Sequence, residues 1–285
     1  VLEGGGARGA YQIGAWKALK DAGVKVNAVA GTSVGALNGA LICMDDLALA
    51  EKVWSEVASS QVMDVDDDWV ERFFNRGMTI REVFHEILRH IGEGGIDITP
   101  LKKLICEVMD EEKIRNSAVK LFLLTYSLTE KRQLDLAIDD IPEGLLDDFL
   151  LASAYLLGFK KEPLHGCQYM DGGIFNNVPL GSLIDRGYKD VIEIRIYGPG
   201  REPKVKRADD TTVFEIAQRV SLGSILEFRY ERSCLNMKIG YYDPTRLIYA
   251  LTGHIYYIEH TKLEWFSSET LSISTDTQTA EAAFD

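Results

Sequence analysis

A serine set between two glycines, in the stretch GTSVGALNGA at residues 31–40, constrains this chain more than any other feature. Gly31, Ser33 and Gly35 match the pattern G-x-S-x-G, which is typical of a nucleophile on a sharp turn between a strand and a helix. The apolar run VNAVAG precedes the serine and has the composition of a buried parallel strand. The local sequence therefore predicts an α/β fold in which Ser33 lies in a tight turn at a sheet edge.

The helix predicted after this turn has one face almost free of side chains. That face is formed by Gly35, Ala36, Gly39 and Ala40, which recur at three- and four-residue spacing. Such a helix can lie very close to a sheet, and its N-terminus then points at Ser33. The partial positive charge of a helix N-terminus favours an alkoxide or an oxyanion there.

A glycine-rich loop, GGGARG at residues 4–9, follows a short apolar segment and precedes a helical pattern. Acyl transfer needs backbone N–H groups aimed at the developing oxyanion, and glycine lets the main chain approach a substrate without a Cβ in the way. Strands that are neighbours in the sequence bring the loops after them to the same sheet edge. We therefore expect Gly5, Gly6 and Ala7 to lie near Ser33.

The same loop is open to a second interpretation. Gly4, Gly6 and Gly9 also fit the dinucleotide fingerprint G-x-G-x-x-G. That fingerprint needs an acidic residue at the tip of the second strand, where this chain has GTS. Arg8 is a candidate partner for a phosphate group, or a residue that stabilises the loop. A module that binds a phosphate or nucleotide on this loop without catalysis is therefore one alternative function.

The base that would activate Ser33 is not obvious, because none of the five histidines has a supporting local motif. These histidines are His85, His90, His165, His254 and His260. An esterase with a Ser-His-Asp triad is a further alternative, with its imidazole supplied by one of the last two.

A carboxylate gives a clearer signal. Asp171 opens DGGIFNNVP directly after a short apolar run. An acid at the C-terminal end of a strand lies where open α/β sheets bind ligands, and Gly172 next to it leaves room for a substrate. Partial burial would raise the pKa of Asp171 toward that of a useful base. A plain capping role for Asp171 before the next helix is the alternative.

Three motifs in this order, GGGARGAYQIG, GTSVGALNGA and YMDGG, resemble the patatin-like phospholipases over residues 1 to about 195. The resemblance implies a three-layer α/β/α fold with a mainly parallel central sheet and a helical insertion. It also implies a serine acyl hydrolase of lipids, of phospholipase A or lysophospholipase type, with no histidine and no metal or organic cofactor. Ser33 would be the nucleophile and Asp171 the base. The implied oxyanion hole is the backbone of Gly5, Gly6 and Ala7.

One segment departs from the family pattern A-S-x-x-x-P. The stretch ASAYLLGF keeps Ala152 and Ser153 but has Leu157 where the family has proline. This departure concerns the local wall of the substrate site. It does not affect the two residues of the dyad.

The domain organisation predicted from the sequence is a single acyl hydrolase domain over residues 1–266, followed by a polar tail over residues 267–285. A mostly helical insertion is predicted at about 45–118, and residues 212–238 also have a helical pattern. The insertion contains apolar residues that suit either a lid over an acyl chain or an amphipathic helix packed on the core. They are Trp69, Phe73, Phe74, Met78, Ile80, Phe84 and Leu88.

The composition of the chain restricts the kinds of partner that it can bind. The formal net charge of −13 argues against nucleic acid and against a polybasic lipid anchor, so we expect transient contact with a lipid surface. The four cysteines lie far apart, as in a reduced cytoplasmic protein. Because the chain starts at Val1, it is expected to begin inside the encoded protein, which leaves export or peripheral membrane association open.

Overall fold

The structure is a computed structural model that describes residues 1–62, 95–156, 159–160 and 162–250. The chain divides into two compact units, Val1–Pro244 and Thr245–Asp285. The second unit is described over residues 245–250 only. The sheet and the candidate site belong to the first unit.

The N-terminal part of the first unit forms around the serine turn. Helix α1 (Ala10–Asp21), strand β1 (Ala28–Thr32) and helix α2 (Val34–Met44) follow one another, and a short 3-10 turn, Gly6–Gly9, leads into α1. These bounds confirm the predicted order of glycine loop, helix, strand, sharp turn and helix.

The segment predicted as a helical insertion is helical where the structure describes it. It contains α3 (Leu47–Glu56), a 3-10 turn (Ser59–Gln61), α4 (Thr99–Val108) and α5 (Glu111–Arg115). Residues 63–94 lie outside the described part of the chain. The seven candidate lid residues, together with His85 and His90, fall in that range.

The remaining elements complete the sheet and its helices. In chain order they are β2 (Lys120–Ser127), β3 (Arg132–Ala137), α6 (Leu146–Ser153), β4 (Tyr169–Asp171), α7 (Gly173–Asn176), α8 (Leu180–Ile184), β5 (Asp190–Arg195), β6 (Thr212–Ala217) and α9 (Tyr230–Ile248). Among the helices that are described, none combines the length and the apolar character needed to cross a bilayer.

Strand β2 is the centre of the sheet. It pairs in parallel with β1 and in antiparallel with β3 and β4. Strands β5 and β6 pair in parallel, and Leu2 forms parallel bridges to both Gly31 and Ile194, which joins β1 to β5. The predicted α/β class with a mainly parallel sheet is therefore confirmed.

Both faces of the sheet are covered. Successive side chains of a strand point to opposite faces, and the apolar residues of this sheet are buried on both. In β2, Leu121 and Leu123 face the main core together with residues of α1 and α2, whereas Phe122 lies in a smaller core. That smaller core also contains Leu180 and Leu183 of α8. The sheet is thus the middle of three layers.

The helix predicted over residues 212–238 is partly wrong. Thr212–Ala217 is strand β6, and the last helix begins only at Tyr230. The reason is that β5 presents an unpaired edge, along which β6 forms a complete parallel ladder from Asp190 to Arg195. Pairing with that edge outweighs the weak local helical pattern of the segment.

Helix α9 packs closely against α1 through two glycines. A Cβ on Gly14 would overlap the carbonyl of Met237, and a Cβ on Gly240 would overlap the carbonyl of Tyr11. The two backbones can therefore approach one another only where side chains are absent. This contact attaches α9, up to Pro244, to the unit that contains the sheet.

A buried carboxylate fixes the start of the glycine loop. Glu3 is 3% exposed, and its Oε2 accepts hydrogen bonds from the N–H of Ile196 (2.8 Å), the N–H of Tyr197 (2.9 Å) and Nε of Arg195 (3.1 Å). Charge-assisted hydrogen bonds to a buried carboxylate are stronger than bonds between neutral groups. The loop after Glu3 is therefore tied to the end of β5.

We expect Glu3→Gln to lower the free energy of unfolding by about 3 kcal/mol, because it removes one partner of a buried ion pair. Urea unfolding measures this loss. Glu130→Gln is the matched control, since Glu130 pairs with Arg132 at the surface, and its effect should stay within about 0.5 kcal/mol. Equal effects of the two changes would contradict a structural role for Glu3.

Candidate active site

The turn at Ser33 has an unusual backbone. Ser33 has φ 56° and ψ −127°, and it precedes the first residue of α2. A residue with a side chain rarely adopts a positive φ, and holding it there costs about 1–3 kcal/mol. The flanking glycines are needed for close approach, because a Cβ on Gly31 would overlap the carbonyl of Gly35, and one on Gly35 would overlap the carbonyl of Leu2.

The register of β2 brings the predicted acid to this turn. Thr32, the last residue of β1, pairs with Leu124, and Asp171, the last residue of β4, pairs with the next β2 residue, Thr125. Because β3 runs along the opposite edge of β2, strand β4 lies on the edge that β1 uses. Two strands of opposite direction therefore end against each other, which places Ser33 beside Asp171.

Ser33 and Asp171, the predicted nucleophile and base, line one small cavity. Its volume is about 40 Å³, and Gly5, Gly6 and Asn177 also line it, together with Leu156, Ile174, Pro199 and Ile225. Ser33 is 6% exposed and Asp171 is 3% exposed. The structure thus brings together the serine, the acid and two residues of the glycine loop.

The carboxyl group of Asp171 is buried. Oδ1 accepts a hydrogen bond from the Gly173 N–H at 2.7 Å, whereas Oδ2 makes none with any described residue. Burial raises the pKa of Asp171 to about 6, although the nearby Ser33 hydroxyl and the Gly173 N–H lower it. The two side chains therefore lie close without a formed hydrogen bond.

The three predicted oxyanion donors differ in their surroundings. The N–H of Ala7 donates to the carbonyl of Ile225 at 2.8 Å. The N–H groups of Gly5 and Gly6 have no acceptor within the described residues. Gly6 has φ +55°, and a Cβ there would overlap the Ile225 carbonyl. Two of the three donors are therefore available at the cavity, and the third is occupied.

The two candidate substrate-binding residues lie against the backbone. Arg8 donates to the carbonyls of Gly223 (2.9 Å), Tyr197 (2.6 Å) and Ile196 (3.2 Å), which is the loop-stabilising arrangement. Gly172 follows Asp171 and packs against the carbonyl of Leu124, where a Cβ would lie at 2.7 Å. Neither residue lines the 40 Å³ cavity.

Within the described part of the chain, no imidazole reaches this cavity. His165 is at the surface, where its Nε2 lies 2.8 Å from Oδ2 of Asp148. The other four histidines, including the triad candidates His254 and His260, lie outside the described residues. No group of three His, Cys, Asp or Glu side chains that could hold a metal occurs among the described residues.

Two polar residues at the site were not assigned a role from the sequence. Asn177 donates through Nδ2 to the carbonyl of Gly4 at 3.0 Å and to Oε1 of Glu3 at 3.3 Å. Ser153 accepts a hydrogen bond from the N–H of Ser33 at 2.9 Å. Asn177 lies in the stretch DGGIFNNVP and Ser153 in the stretch ASAYLLGF. Their contacts join residues more than a hundred positions apart, so no local sequence pattern reveals them.

A second, apolar cavity of about 90 Å³ is also lined by Ser33. Its walls come largely from α2, α3 and α4, and include Leu37, Leu41, Trp54, Leu104 and Val108. The polar member Asn38 is satisfied, because it bonds to Gly9, Gln12 and the Trp54 indole. The cavity therefore offers a binding surface for a hydrocarbon group next to the serine hydroxyl.

Comparisons with known proteins agree with this arrangement of motifs. Residues 1–184 match the family model described as "Patatin: Patatin-like phospholipase". The chain is 29% identical over 199 residues to patatin-like phospholipase domain-containing protein 7 of Rattus norvegicus. It is 28% identical to patatin-like phospholipase domain-containing protein 6 of Homo sapiens and 27% identical to neuropathy target esterase sws of Drosophila melanogaster.

Each of these matches covers 69% of this chain but only 13%, 13% and 12% of the respective relative. Among solved structures, the crystal structure of VipD from Legionella pneumophila has a TM-score of 0.44 and 14% sequence identity, and the match covers 87% of this chain and 66% of that one. The family match extends from Val1 to the end of α8 and includes the glycine loop, Ser33 and Asp171. The chain belongs to the patatin-like phospholipase family.

Proposed function

We propose that this chain is a lipid acyl hydrolase in which Ser33 and Asp171 act as a catalytic dyad. The observation that carries the proposal is that Ser33 lines two cavities of different character. One cavity contains Asp171 and the glycine loop, and the other is apolar. The relatives named as phospholipase-domain proteins and as an esterase support the same class of reaction.

In the first half of the reaction, Ser33 Oγ attacks the ester carbonyl and its proton passes to a carboxylate oxygen of Asp171. The N–H groups of Gly5 and Gly6 then stabilise the oxyanion of the tetrahedral intermediate. The bond to the alcohol then breaks, and Asp171 returns the proton to the leaving oxygen. The products of this half are the free alcohol and acyl-Ser33.

In the second half, water attacks acyl-Ser33 and gives its proton to Asp171, which returns it to Ser33 as the fatty acid leaves. A volume of about 40 Å³ beside the dyad has room for that water. The apolar cavity holds the acyl chain. The substrate class is therefore a glycerolipid ester, as in a phospholipase A or a lysophospholipase, met in transient contact with a lipid surface.

We expect Ser33→Ala to abolish ester hydrolysis and labelling by a fluorophosphonate. Asp171→Asn should lower kcat/KM by about 10²–10⁴-fold, the usual contribution of a general base. Because only the carboxylate accepts a proton, kcat/KM of the wild type should rise with pH to a plateau, with a midpoint near the pKa of about 6.

A panel of phospholipid and short-chain esters, assayed between pH 4 and 9, provides these measurements. Asp135→Asn is the matched control, since this carboxylate pairs with Arg186 away from both cavities and its loss should leave kcat/KM unchanged. Hydrolysis that survives in Asp171→Asn at the wild-type rate would rule out the dyad.

The same carboxylate should reduce stability above its pKa. Its pKa rises from 3.8 in the unfolded chain to about 6 in the fold, so the folded state binds more protons between these values. The contribution of Asp171 to the free energy of unfolding therefore falls by about 3 kcal/mol between about pH 3 and pH 7. Asp171→Asn should thus be more stable than the wild type at pH 7 and equally stable near pH 4. Urea unfolding at both pH values checks this, and a less stable variant at pH 7 would contradict it.

The apolar cavity should discriminate between acyl chains. Leu37 lies one turn of α2 after Ser33 and lines this cavity, so Leu37→Trp is expected to block a long chain and to spare a short one. We expect the ratio of kcat/KM for a long-chain to a short-chain ester to fall at least about tenfold, as the cost of excluding several methylenes. Leu235→Trp, at a position 41% exposed on α9, is the control and should leave the ratio unchanged. An unchanged ratio in Leu37→Trp would place the acyl chain elsewhere.

A further inference from the structure

The strained turn is held by a hydroxyl from a distant part of the chain. Ser153, the last residue of α6, is 0% exposed. Its Oγ accepts a hydrogen bond from the N–H of Ser33 at 2.9 Å and donates its own proton to the carbonyl of Leu124 at 2.6 Å. The hydroxyl therefore links the backbone of Ser33 to the β2 residue that pairs with the end of β1.

The neighbouring residues make a parallel connection to the acid. Thr125 pairs with Asp171 in the sheet, and its Oγ1 lies 2.9 Å from the carbonyl of Ala152 and 3.2 Å from that of Met170. The C-terminal end of α6 is thus attached to both β2 residues that carry the site, Leu124 on the serine side and Thr125 on the acid side. Movement of this helix end relative to β2 would change both attachments together.

We propose that Ser153 is a positioning residue that holds Ser33 at the orientation in which its hydroxyl faces Asp171. This inference rests on the proposed function, because it takes Ser33 as the nucleophile. Ser153 does not exchange protons with the substrate, since its only proton is used by Leu124. Its contribution is to fix a turn that has φ 56° and would otherwise relax.

Replacement of Ser153 removes the acceptor of the Ser33 N–H and one donor to the carbonyl of Leu124, both in buried surroundings. Either the turn relaxes, which moves the nucleophile, or it stays in place and the fold is weakened. Even a small displacement of a nucleophile has a large effect on rate. We therefore expect Ser153→Ala to lower kcat by about ten- to a hundredfold with KM within about twofold of the wild type.

The test compares Ser153→Ala and Ser153→Cys with the control Ser233→Ala, using a soluble short-chain ester. Ser233 is also 0% exposed, and its Oγ makes no hydrogen bond with any described residue, so the control makes the same chemical change without removing a hydrogen bond. The rate of fluorophosphonate labelling should fall with kcat in Ser153→Ala, and Ser233→Ala should match the wild type. Ser153→Cys preserves most of the side-chain volume but supplies only a weak hydrogen-bond acceptor. Its kcat should therefore lie between that of Ser153→Ala and that of the wild type.

The pH profile separates positioning from a purely structural role. The Ser33 hydroxyl lowers the pKa of Asp171, so a displaced Ser33 should move the midpoint of the kcat/KM profile to higher pH. A purely structural role would lower only the melting temperature. Wild-type kcat, labelling rate and pH midpoint in Ser153→Ala would therefore overturn the inference. If that variant does not fold, wild-type kinetics in Ser153→Cys would overturn it equally.

Ser33→Ala, measured in the same assay, distinguishes failure of this inference from failure of the proposed function. Hydrolysis and labelling that survive in Ser33→Ala would reject the nucleophile itself. If Ser33→Ala is inactive and Ser153→Ala keeps the wild-type kcat, labelling rate and pH midpoint, only the positioning role is rejected.

Discussion

A single backbone conformation, φ 56° and ψ −127° at Ser33, constrains the whole site. The turn forms only because glycines at 31 and 35 let three backbone segments approach one another closely. It is held at one end by the strand β1 and at the other by α2, and the hydroxyl of Ser153 satisfies its N–H. The consequence is a hydroxyl that lies at the end of a sheet strand and lines two cavities.

The burial of Asp171 lowers the stability of the fold and raises the basicity of the carboxylate. A carboxylate that is buried and has one oxygen without a hydrogen bond is unfavourable, and the raised pKa of Asp171 is the expression of that cost. The same burial brings the basicity of Asp171 closer to what proton transfer at neutral pH needs. The dyad that we propose needs no imidazole, because the sheet register holds Ser33 and Asp171 side by side.

The part of the chain after the family match helps to build the site. The N–H groups of Ile196 and Tyr197 fix Glu3 before the glycine loop, and the carbonyl of Ile225 occupies the N–H of Ala7. Ile225 also lines both cavities beside Ser33. The glycine loop is thus shaped from outside its own motif, and of its three predicted oxyanion donors only those of Gly5 and Gly6 have no acceptor among the described residues.

Local chemistry was enough to predict the strand, turn and helix around Ser33, because each depends on neighbours within a few residues. The same reasoning failed for residues 212–217, since strand β6 exists only because β5 offers an unpaired edge. The pairing of Ser33 with Asp171 followed from family resemblance, and its physical cause is that β1 and β4 end at adjacent residues of β2. The sequence alone thus determined the fold class and the strand, serine turn and helix around Ser33. Tertiary structure decided which distant groups, such as Ser153 and Ile225, hold that turn and its loop, because these contacts span more than a hundred residues of chain.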